Sequence, residues 1–154
     1  MPSITLPERE IPVVGDYDVV VAGGGPGGIP AAVAAARAGA KTLLIERYGY
    51  LGGMATAGLI AVILGTRGSG TDEPMIGGIA EELCREMEAL GGAPNYDDAV
   101  KRGGIAFDPE AFKLVSDALV PGSNVDLRLH SWAVDALVED GMISALALES
   151  KSGP

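Results

Sequence analysis

Asp18-Val19-Val20-Val21-Ala22-Gly23-Gly24-Gly25-Pro26-Gly27-Gly28, with the alanine-rich stretch behind it and then Leu43-Leu44-Ile45-Glu46, decides the fold. It reads as an apolar strand, a glycine turn, a helix and a second strand that ends in an acid. A dinucleotide-binding βαβ unit requires that order. Gly23 permits the tight turn out of the strand, Gly25 lets the backbone approach a pyrophosphate, and Gly28 lets the helix pack on the sheet. Gly24, Pro26 and Gly27 fill the rest of the phosphate loop. The phosphates then face the positive, N–H-donating end of the helix. Glu46 lies 23 positions after Gly23, close to the roughly 20 expected for a carboxylate that holds a ribose hydroxyl.

Around this unit the sequence sets further expectations. Residues 1–15 form an irregular lead-in punctuated by Pro7, Pro12 and Gly15, and residues 16–154 form one nucleotide-binding domain. Asp16 to Ala22 is the first strand, and its valine run predicts burial on both faces. The helix extends to about Ala38, its alanines offering a thin wall to a sheet. Pro30 falls in the first turn, where a missing N–H costs nothing. Lys41 to Glu46 is the second parallel strand. Ile76 to Leu90 has helical spacing, 93–106 reads as loop, and Asp108-Pro109 caps a helix closed by Pro121-Gly122. Strands come next over Val125 to Leu129, Trp132 to Val138 and Met142 to Leu148, the last two joined by the Asp140-Gly141 turn.

Composition excludes several classes. The 154 residues carry a net charge of −10 and the pI is near 4.4, which argues against nucleic acid or an anionic membrane as partner. Backbone N–H groups still allow an acidic chain to bind a pyrophosphate. One cysteine, Cys84, forms no internal disulfide, so a reducing, cytoplasmic compartment is expected. The uncharged runs Val19 to Ala36 and Tyr48 to Thr66 approach the length of a membrane span. The first contains the glycine turn and the second five glycines, so both are read as buried globular segments. No metal-spaced cluster, paired carboxylates or nucleophilic triad stands out, and no catalytic residue is assigned. His130 is read as remote from the chemistry and Trp132 as hairpin packing.

The residues after Glu46 separate two cofactors. Glu46-Arg47 leads through Tyr48-Gly49-Tyr50 to Leu51-Gly52-Gly53-Met54-Ala55-Thr56. With the Gly77-Gly78-Ile79 and Phe107-Asp108-Pro109-Glu110 helix starts and the final strands, this resembles the N-terminal part of the FAD-dependent oxidoreductases, the glutathione-reductase-like two-dinucleotide-binding flavoproteins. The likeness spans about Asp16 to Ser150. It implies an α/β fold: a Rossmann-like βαβ FAD-binding domain with a parallel sheet plus an antiparallel β-hairpin or meander. It implies FAD as cofactor and hydride or electron transfer with a small-molecule substrate.

Residue by residue, the resemblance places Gly23, Gly25 and Gly28 on the pyrophosphate, Glu46 on the adenosine ribose and Arg47 over the adenine end. Gly52-Gly53 would run beside the middle of FAD, Met54 and Thr56 would approach the isoalloxazine, and backbone at Val134 would meet the adenine. Members of the family continue with further strands and a substrate domain. The expectation is therefore a fragment or split subunit, with a partner chain or a homo-oligomer completing the sheet. Two alternatives stay open: a non-catalytic FAD- or ADP-binding subunit, and a related NAD-using enzyme resembling thiazole synthases.

Overall fold

A computed structural model describes residues 2–4, 10–71 and 73–153 of the chain. Its elements are β1 (Val19–Ala22), α1 (Gly28–Arg37), β2 (Thr42–Ile45), a 3₁₀ turn (Gly53–Ala55), β3 (Val62–Leu64), α2 (Ile79–Ala89), α3 (Tyr96–Arg102), β4 (Gly104–Ala106), α4 (Pro109–Gly122), β5 (Val125–Arg128), β6 (Ser131–Glu139) and β7 (Met142–Ser150). A parallel sheet of order β1-β2-β5 is joined by two antiparallel pairs, β3-β4 and β6-β7. Val19 pairs with Thr42, and Thr42 in turn with Val125. This is the expected α/β class.

The central position of β2 explains its composition. Thr42, Leu43, Leu44 and Ile45 are all buried, as a strand with neighbours on both edges and cover on both faces requires. Helix α1 turns Ile29, Ala32 and Val33 inward, at the spacing that places residues on one helical face. Leu83, Cys84 and Met87 of α2 and Phe112 and Val115 of α4 join the same core. Burial pushes the Cys84 thiol up to about 11, with the nearby Glu81 adding to it.

Strand β1 differs from expectation. It is shorter than Asp16 to Ala22, beginning at Val19, and it is not buried on both faces. Val20 is 37% exposed, and burial alternates along the strand, so the face that carries Val20 and Ala22 lacks full cover; β1 pairs only with β2 among the described residues. Residues 93–106 are not simply loop. Asn95 caps α3 by accepting a hydrogen bond from the Asp98 amide, and Gly103, at φ +86°, ends it. The chain then enters β4, which pairs with β3. Pro121 does not stop α4 but sits in its last turn, where the one N–H it lacks is followed by Ser123 donating to Leu119 O. No helix among the described residues is long and apolar enough to cross a membrane.

Candidate nucleotide site

The site assembles where β1, α1 and the loop after β2 meet. Gly23 turns the chain at φ +109°. A Cβ on Gly28 would lie far inside contact distance of the Gly23 carbonyl oxygen, so the turn and the helix start pack backbone on backbone. The positions of Gly25 and Gly27 face open space. A Cβ on Gly27 would meet nothing within 4 Å, and one on Gly25 only the Gly53 Cα at 4.0 Å. Gly27 caps α1 without a side-chain hydrogen bond, and no acid occupies the helix's first turn. The Gly25, Gly27 and Gly28 amides have no acceptor among the described residues. Such a helix start attracts an anion.

Glu46 closes the site from below. Its carboxylate is buried and accepts from the Gly24 amide at 2.7 Å through Oε2 and from the Tyr48 amide at 2.9 Å through Oε1. A carboxylate has about four acceptor positions, so two amides orient it and leave capacity for hydroxyl groups. The loop then returns over the glycine turn. Gly52 N donates to Gly24 O at 2.7 Å, and a Cβ on Gly53 would stand 2.9 Å from the Gly25 Cα. Gly52 and Gly53 both have positive φ, so the expected Gly-Gly pair is required by conformation and by the close approach of two backbones.

The remaining expected residues divide. Arg47, Gly53 and Met54 line a cavity of about 400 Å³ with Glu46, Tyr48 and Ala57. Met54 is well exposed there. Thr56 is buried, and its hydroxyl donates to Leu51 O at 2.9 Å, fixing the loop. Pro26 follows Gly25 in the turn, close to the Gly53 position. Val134 lies on β6, largely exposed, and lines neither cavity. A second cavity of similar size is bounded by Arg47, Tyr48, Gly49, His130, Trp132 and Lys151.

Sequence reasoning did not pick out Tyr48, whose amide holds Glu46. Nor did it foresee His130 packed on Gly49, with His130 N donating to Tyr48 O at 3.2 Å. Only the positive φ of His130 marks that position as special. Among the described residues no group of His, Cys, Asp and Glu is arranged to hold a metal.

The family model described as FAD dependent oxidoreductase matches residues 18–154. The chain belongs to that family. Its cofactor is FAD, and the open glycine positions, the free helix start and the oriented Glu46 carboxylate suit the ADP half of that molecule. The chain is 56% identical over 45 residues to dihydrolipoyl dehydrogenase of Trypanosoma brucei brucei, a match covering 29% of this chain and 9% of that protein.

Among solved structures it superposes on GidA of Aquifex aeolicus with a TM-score of 0.58 at 25% identity, covering 90% of this chain and 23% of that one. The geranylgeranyl bacteriochlorophyll reductase-like protein of Thermoplasma acidophilum gives 0.59 at 23%, covering 88% and 35%. THI4 of Thermovibrio ammonificans gives 0.57 at 19%, covering 88% and 48%. The last two likenesses show the fold. The chain spans less than half the length of each of these proteins.

Proposed function

We propose that this chain is the FAD-binding part of a flavin-dependent oxidoreductase acting on a small molecule by hydride or electron transfer. The observation that carries the reading is the pairing of a helix start with open N–H groups and a buried, amide-oriented Glu46. Residues 16–154 form the FAD-binding unit and residues 1–15 precede it. The backbone of Gly23 to Gly28 takes the pyrophosphate, Pro26 keeping the turn short of one donor. Glu46 accepts from the adenosine ribose hydroxyls, and Arg47 stands at the adenine end with the backbone of Val134. Gly52 and Gly53 leave room for the middle of the cofactor, Met54 faces the flavin end, and Thr56 supports that loop from beneath. Bound FAD supplies the redox chemistry by accepting an electron pair. The residues of this chain bind and orient it.

The outer edge of β1, unpaired among the described residues, favours a second element in the reading: a strand from a partner or from further polypeptide that completes the sheet. On that view the chain alone binds FAD and the substrate is met elsewhere. The single, buried Cys84 is consistent with a reducing, cytoplasmic setting.

The test is to add FAD to the purified chain, desalt it, and read visible absorption beside native mass. Retained flavin in near-stoichiometric amount is the expected result. A folded chain that loses all its flavin contradicts the proposal. Reduction of retained flavin by candidate donors then separates a self-sufficient enzyme from a binding subunit.

A further inference from the structure

Arg47, Tyr48, Tyr50 and Lys113 form one continuous stack. The Arg47 guanidinium carbon lies 4.6 Å from the Tyr48 ring centroid, and its Nη2 donates to the Tyr48 hydroxyl at 2.9 Å. The Tyr48 and Tyr50 rings are nearly parallel, 8° apart with centroids at 5.7 Å. The Lys113 ammonium sits 4.3 Å from the Tyr50 centroid and donates to Glu110 at 2.7 Å. A cation therefore closes each end of an aromatic pair. Offset ring pairs and cation–π contacts are each weakly attractive, and together they are enough to fix a long side chain.

The two ends of the stack have different surroundings. Lys113 stands on α4, whose start is capped by the Asp108 carboxylate accepting from the Glu110 amide and whose Phe112 and Val115 are buried in the core. That end is anchored. Arg47 borders both cavities, the first of them together with Glu46. In a chain of net charge −10, Arg47 forms no ion pair among the described residues, while Arg37, Arg85 and Lys113 each do. A guanidinium oriented by rings rather than by a carboxylate keeps its charge and most of its donors for a ligand.

From this we infer that Tyr50 and Lys113 are positioning residues, acting through Tyr48 to hold Arg47 toward the adenine half of the nucleotide. The inference rests on the FAD-binding reading above. It extends that site to α4, a helix distant in sequence from every residue assigned to the cofactor.

The test is a double-mutant cycle on the full chain, with FAD and ADP as ligands and the fluorescence of Trp132, which borders the same cavity as Arg47, as one readout beside calorimetry. Arg47→Ala is expected to weaken both ligands on the order of tenfold and Tyr50→Leu about fivefold. Tyr50→Phe, which keeps the ring, stays within about twofold of wild type. In the Arg47→Ala background, Tyr50→Leu adds less than about twofold, the mark of a residue acting through Arg47. Lys113→Met, at the far end, weakens binding about twofold by the same route.

Unchanged binding in Tyr50→Leu overturns the inference. So does a loss of the same size in both backgrounds, which is what general loosening of the loop would produce. A wild-type chain that binds neither FAD nor ADP overturns this inference and the proposed function together, whereas either of the first two outcomes leaves the proposed function standing.

Discussion

The β1-α1-β2 unit and the β6-β7 hairpin are both built from apolar residues, yet the surrounding structure constrains them very differently. In the first, Ile29, Val33 and Leu44 are fully buried and Gly28 packs directly on the Gly23 carbonyl. In the hairpin, Leu137, Val138, Met142 and Ile143 are all more than half exposed. The hairpin pairs along nearly its whole length with two register shifts, and its base is tied to the rest of the fold, where Ser131 N donates to Glu46 O. Strand pattern alone thus specifies pairing, whereas close packing specifies which residue each position tolerates.

The largest expected effect in this comparison is Gly28→Ala. A methyl there must displace backbone, so we expect a loss of roughly 3 kcal/mol or more and failure to accumulate folded chain. Thermal unfolding followed by circular dichroism checks this, and a normal melt would break the claim of backbone-on-backbone contact. The same chemical deletion in each region comes next. Leu44→Ala should cost roughly 2–5 kcal/mol as a cavity in the core, but Leu137→Ala, on the open hairpin, less than about 1 kcal/mol. Equal costs in denaturant titration would mean that the hairpin is covered.

Glu46→Gln sharpens the role of the site. The carboxamide has one acceptor oxygen, so its NH₂ group would face a backbone amide that now finds no acceptor. Roughly 2–3 kcal/mol of stability should be lost in the chain without FAD, measurable as a lower Tm. A prediction that leaves stability untouched concerns Cys84, whose buried thiol is held up to about 11. Alkylation at pH 8 should run more than about 100-fold slower than for the unfolded chain and should speed up as pH rises toward 11. Rapid labelling of native protein would show that α2 opens readily.

The βαβ unit was legible in the sequence because each of its positions obeys a local rule: valines before the turn, glycines in it, an acid at the end of β2. The Gly52-Gly53 pair was visible for the same reason. Helix α3 was passed over although its signals are present in Asn95, Asp97, Asp98, Lys101 and Gly103. At seven residues it is too short to show a convincing apolar period. The single-sided pairing of β1 was expected, but the exposure of Val20 was hidden because a valine run does not say what covers each face of a strand. Tyr48 as the second amide on Glu46, and Tyr50 against Lys113, depend on how a loop folds back and where α4 lies. No local pattern records that.

Under the proposed function this chain recognises the ADP half of its cofactor with a bare helix start and a buried carboxylate. Calorimetric titration of the full chain with FAD, FMN and ADP tests it most directly. We predict that FAD binds, that ADP displaces it competitively, and that FMN, which lacks the adenosine and one phosphate, binds far more weakly. FMN binding as tightly as FAD, with ADP unable to compete, would contradict it.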